Sequence, residues 1–203
     1  MTLIGAILFI NFFISPVTGN FIPYFVKTDL AGAASYLFDK ALTPELWSSV
    51  VSVCFGVSSL VGAGILSAKK QEDKCGYKTA LRLLAVAVFM IGLTLSYFLL
   101  VDRGISLNGF LICLCLGGMA FGFLISYINI PISTTIMRIV DKDKLSKVGS
   151  ITSIASQGMV PLASMLAGVI LETLGSTPLL AVCSLGFTVT ALLMLSSRQI
   201  KEF

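Results

Sequence analysis

Few side chains in this sequence can do chemistry. The most distinctive are three primary amides, Asn11, Asn129 and Gln157, set within long apolar runs. A primary amide offers four hydrogen-bonding sites and is hard to satisfy in hydrocarbon, so each is expected to face protein or a watery cavity. Small and polar residues extend the pattern. Gly118, Gly122, Ser126, Asn129 and Ser133 recur at steps of 4, 4, 3 and 4, and so do Ser153, Gln157, Pro161, Ser164 and Gly168. Steps of three and four hold one face of a helix. Asn11, Ser15 and Thr18 form a shorter stripe beside Pro16. Such stripes have two uses. Small residues let helix backbones approach, the natural role for Gly118, Gly122 and Gly168. Polar ones line a substrate path, for which Asn11, Ser126, Asn129 and Gln157 are the candidates.

Most catalytic chemistry is missing. His does not occur, which removes the commonest metal ligand and general base. The five cysteines contain no CxxC pair, and four of them lie in apolar runs, so they read as small buried hydrophobes rather than a metal or redox site. No nucleophile–base pair can be drawn, and no Asp, Glu, Lys or Arg stands at the middle of an apolar run. No enzyme activity, no cofactor and no metal are expected. A proton-driven pump needs a titratable group in the membrane. Here it would have to be Glu172 or Asp29, or else belong to another chain.

The elements that position the amides follow from composition. Of 203 residues, 56% are hydrophobic and only 12% charged, and the mean hydropathy is +0.97. A soluble domain of this size leaves too much surface in water to carry such a sequence. The fold class expected is an all-α membrane protein, and a nucleic-acid module is excluded. Charge-free runs mark six spans: Met1–Val26, Leu46–Ala68, Leu83–Val101, Gly104–Met137, Val148–Leu171 and Thr173–Ser197. They place one six-helix bundle over residues 1–203, with helices over about 3–26, 46–68, 83–101, 105–136, 148–171 and 175–197. The first residues lack a basic region and a small-residue cleavage site, so they read as the start of a span and not as a secretory leader. Pro131 is expected to kink the long fourth helix. The third and sixth spans, rich in Leu, Val, Phe and Met, are expected to face lipid.

Cations set the orientation. Lys69, Lys70, Lys74, Lys78 and Arg82, then Arg138, Lys142, Lys144 and Lys147, then Arg198 and Lys201 fall on one side, against Lys27, Lys40 and Arg103 on the other. The positive-inside rule makes the first side cytoplasmic, with both termini there. Trp47 and Tyr24 are then expected at the outer interface.

In order and spacing, these features resemble the C-terminal half of a major facilitator superfamily transporter, its seventh to twelfth helices. The loop Asp73-Lys-Cys-Gly-Tyr-Lys78 resembles the family's D-[RK]-x-G-x-[RK] motif, although Gly64 precedes it at a longer distance than in the family. Within that family the chain is similar to the drug-exporter branch of macrolide-efflux-like and siderophore-exporter-like permeases. The similarity rests on Asn11-Phe-Phe-Ile-Ser-Pro16 with Ile22-Pro-Tyr-Phe-Val26, on Asn129-Ile-Pro131, and on Ser156-Gln-Gly-Met-Val-Pro161 leading to Ala167-Gly168, while Leu145-Ser-Lys147-Val148 stands where the branch has a G-R-V turn, with Ser146 and Lys147 replacing Gly and Arg. The resemblance implies that the first and fourth helices line a cavity, that the fifth flanks it, and that the third and sixth face lipid. It makes Asp73, Lys74, Gly76, Lys78 and Lys147 candidates for cytoplasmic gating loops. The function implied is efflux of a small amphipathic substrate by alternating access, as a permease or antiporter of a bacterial plasma membrane. A full transporter of this type has two six-helix halves around a midplane site. The partners expected are therefore the small-molecule substrate, the lipid bilayer, and either an N-terminal six-helix half on a separate chain or a second copy. The competing reading is a non-transporting membrane subunit, anchor or inactive remnant, in which the stripes are dry packing.

Overall fold

The computed structural model of the chain describes residues 2–38, 41–68 and 75–196. Six helical rods make up almost all of it, each long and apolar enough to cross a membrane, and no strand occurs among the described residues. The chain is an all-α membrane protein. Helix α1 runs as Thr2–Ser15, a π turn at Pro16–Phe21, one α turn at Ile22–Phe25 and a second π turn at Val26–Leu30. Then follow α2 (Pro44–Ser67), α3 (Cys75–Tyr97, continued by a π turn at Phe98–Asp102), α4 (Leu107–Ile139), α5 (Lys142–Leu174) and α6 (Ser176–Ser196).

Connections and ends follow from local chemistry. The Ser106 hydroxyl caps α4 by accepting from the Gly109 amide at 3.0 Å. Gly175 alone separates α5 from α6. It adopts φ 87°, a conformation cheap only for glycine, and so lets the chain reverse in one residue.

Several helices outrun the charge-free runs, and Arg82 shows why. Pro131 has no N–H, so the Tyr127 carbonyl one turn earlier loses its helical donor. Arg82 on α3 supplies one: its Nη1 donates to that carbonyl at 2.9 Å, and its guanidinium carbon lies 5.2 Å from the Tyr127 ring centroid. A cation that counting treats as loop is part of helix packing, so α3 starts at Cys75 rather than Leu83. At its other end α1 continues past Val26 through Asp29, whose Oδ2 accepts from the Tyr97 hydroxyl at 3.1 Å. The helix α4 is otherwise continuous through Pro131.

Among the described residues, α2 packs along α4, α3 packs on both α4 and α6, and α1 packs on both α5 and α6, which also touch each other. Exchanging α1, α2 and α3 for α4, α5 and α6 leaves most of this pattern unchanged. The α2–α4 seam is the most extensive contact. A Cβ on Gly122 would overlap the Phe55 carbonyl, and one on Gly62 would lie 3.1 Å from the Phe123 carbonyl. Ser126 donates to the Ser59 carbonyl at 2.8 Å and meets the Ser59 hydroxyl at 2.8 Å. Near the opposite end, Phe21 and Phe25 of α1, Tyr97 of α3 and Phe110 of α4 pack edge to face with centroids 5.0–6.4 Å apart, all of them buried. Trp47 belongs to this buried core and not to an exposed interfacial belt, because the last turn of α1 packs over the start of α2.

Candidate polar cavity

The helices α4 and α5 are joined by Val140 and Asp141 alone, yet they diverge and make no extended contact among the described residues. The first half of α1 stands beside the gap and packs on α5. Between them lies a cavity of about 450 Å³. Its polar lining comes from all three helices: Asn11 of α1, Asn129 and Ser133 of α4, and Thr152, Ser153 and Ser156 of α5. Apolar side chains such as Ile7, Ile136 and Leu145 complete the wall. The lining follows from periodicity. Asn129 and Ser133 are one turn apart, and Gly149, Thr152, Ser153 and Ser156 recur at three and four. Gly149 has nothing within 4 Å of where a Cβ would stand, which keeps the wall open.

Asn11 is half-buried and Asn129 exposed, and neither side chain has a hydrogen-bond partner among the described residues. Both amides keep their donors and acceptors for whatever fills the cavity. Gln157 is exposed and outside the lining. Its Nε2 donates to Ser153 Oγ at 3.1 Å, one turn away and within the lining. Ser126 stands apart, buried in the α2–α4 seam. The stripe on α4 is thus divided: Gly118, Gly122 and Ser126 face α2, while Asn129 and Ser133 face the cavity. Gly118 would place a Cβ 3.6 Å from the Val51 carbonyl, in ordinary contact. Gly168 has nothing within 4 Å, so no helix approaches it closely.

The gating-loop candidates are scattered. Asp73 and Lys74 lie outside the described residues. Gly76 is buried in the first turn of α3 and Lys78 is exposed beside it. Lys147 is exposed on α5 between Leu145 and Gly149, which both line the cavity, and so falls on the other side of that helix. Among the described residues no cluster of His, Cys, Asp and Glu is able to hold a metal.

Reading by residue type passed over Asn20, another amide within a span. It sits in the π turn of α1 and donates from Nδ2 to the Ser164 carbonyl at 3.3 Å, while its Oδ1 is buried without a partner. Ser15 and Ser164 hydroxyls meet beside it at 3.5 Å. The amide rule that picks out Asn11 applies equally to Asn20, and Pro16 and Pro23 around it mark where helix winding changes. In comparisons with known proteins, the chain matches no family model, no curated protein and no solved structure.

Proposed function

We propose that this chain is one six-helix half of a secondary transporter of the major facilitator type, which moves a small amphipathic compound outward by alternating access. The reading is supported chiefly by the α1–α4–α5 cavity. In a bundle whose spans carry no mid-membrane charge, a concave wall with six hydroxyls and amides is costly unless something polar enters it. Asn11 and Asn129 would hold the polar end of the substrate, while Ile7, Ile136 and Leu145 would take its apolar body. That balance suits uncharged or weakly basic drugs better than sugars or anions.

The remaining half would cover α2 and α5. Only 11% and 17% of their spans are buried within this chain, against 44% in α4 and 50% in α6. The described cations Lys78, Arg138, Lys144 and Lys147 crowd one end and Lys27 and Arg103 the other, which favours the first as cytoplasmic. The test is dye efflux from cells expressing the protein, with N11L/N129L as the variant. Loss of at least half the efflux, at unchanged membrane levels, is expected. The thiol introduced by N129C should also react with a water-soluble maleimide in intact membranes. Full efflux from the double variant would overturn the assignment of the two amides, and efflux no greater than in cells lacking the protein, together with an unreactive thiol in N129C, would leave the subunit or anchor reading in its place.

A further inference from the structure

A second hollow lies farther along α1 and α4, where they meet α2 and α3 rather than α5, and shares no lining residue with the first. Among the described residues, the extended contact between α1 and α2 is made by residues 22–30 of α1. Below that contact they part, and a cleft of about 310 Å³ opens between them. Thr18 and Ser52 are exposed at its mouth, while Met90, Leu93, Leu114 and Phe121 are buried at its floor. The volume is about twice the roughly 150 Å³ of a cavity known to hold benzene.

Three features define what fits. First, the walls carry rings: Phe121 lies 6.0 Å from Phe55 and 6.2 Å from Phe89, centroid to centroid. The Phe89 ring lies directly against Gly117, where a Cβ would run into it, and Gly118 is in ordinary contact with α2. The rings, tilted by 42° and 31° to Phe121, form a rigid aromatic wall that favours an aromatic guest over a flexible chain. Second, no described lining residue is ionisable, so a charged guest would lose its hydration with no counter-charge. Third, the hydroxyls at the mouth are already committed as donors. Thr18 Oγ1 donates to the Ile14 carbonyl at 3.2 Å and Ser52 Oγ to the Ser48 carbonyl at 2.8 Å. Each has only lone pairs left to offer.

We propose that this cleft is a binding site for an uncharged aromatic molecule of about two fused rings carrying one O–H or N–H donor. The rings lie inward against Phe55, Phe89 and Phe121, and the donor points to Thr18 and Ser52. Occupancy of the site does not depend on transport.

The test uses the full chain in lipid nanodiscs, with empty nanodiscs subtracted to remove partitioning into lipid. Saturable binding of one 2-naphthol per chain is expected, at least fivefold tighter than 2-methoxynaphthalene, which lacks the donor. T18V/S52A should bring the two probes to equal affinity. S52F, placed at the exposed mouth, should weaken both at least tenfold with the thermal unfolding midpoint unchanged. N11L/N129L should leave naphthol binding as it is. Binding lost in N11L/N129L but kept in S52F would place the probe in the polar cavity and overturn the assignment. So would uptake no greater than in empty nanodiscs, an undiminished preference for naphthol in T18V/S52A, or displacement by oleate at lower concentration than by naphthalene. Efflux no greater than in cells lacking the protein, with naphthol binding intact, would remove the transport reading alone.

Discussion

Arg82 and Pro131 form a pair in which one residue repairs what the other removes. The carbonyl of Tyr127 would be left without a donor inside a helix bundle, and the arginine reaches across from α3 to supply one. An unsatisfied buried polar group costs about 1–3 kcal/mol, so R82M should destabilise by roughly that much. P131A restores an amide donor to the same carbonyl. The cost of R82M should therefore fall by half or more in a P131A background, measured by thermal or denaturant unfolding in detergent. Equal costs in the two backgrounds would disprove the repair. Lysine is not an adequate substitute, because the guanidinium both donates and lies over the Tyr127 ring. This pairing was not legible beforehand. Counting charges assigns Arg82 to a loop, since nothing in its neighbourhood says that a proline forty-nine positions later needs a donor. The amides were legible, because a group with four hydrogen-bonding sites is conspicuous among Leu and Val. Which of them would share a cavity was not, because that depends on the phase of three helices at once.

At the level of whole helices, two glycines of similar appearance in the sequence have opposite surroundings. Gly122 lets α4 lie against the backbone of α2, and a methyl there would overlap the Phe55 carbonyl. Overpacking of this kind costs about 1–3 kcal/mol, and G122A should lower the unfolding midpoint accordingly. Gly168 has open space around it. G168A should be neutral, or stabilise by about 0.5–1 kcal/mol through helix propensity alone. Equal effects at the two positions would show that the seam is not closely packed. The existence and order of six spans were readable from charge and hydropathy, because a charge in hydrocarbon is costly whatever the tertiary structure. Helix ends were less so, since α3, α4 and α5 all continue past the apolar runs, and a helix keeps its backbone hydrogen bonds whether or not its side chains are charged. The stripe on α4 looked like a single face because steps of three and four allow it. Its slow drift around the helix moves the upper part toward α2 and the lower part toward the cavity.

Across the molecule, the two helices least covered by their neighbours, α2 and α5, are also counterparts under the exchange of the first three helices for the last three. Both expose large apolar residues, such as Leu60 and Met165, and α3 and α6 do so at Val88 and Leu185. Spin labels separate the two kinds of surface. In nanodiscs holding one copy, labels at positions 60, 88, 165 and 185 should all be accessible to oxygen. In discs holding two copies or the complementary half, positions 60 and 165 should become shielded and 88 and 185 should not. Unaltered accessibility at all four would argue against covering of α2 and α5. The short link at Val140 and Asp141 has a mechanical consequence. With α4 and α5 tethered at one end, any change in their splay is a rotation about that tether, and displacement grows with distance along the rod. Asn129 lies about 16 Å from it and Gly118 about 33 Å, at 1.5 Å per residue. A swing that moves the far half by a given amount shifts the amides by only half as much, so the pivot end behaves as a nearly fixed vice while the distant end acts as the jaw.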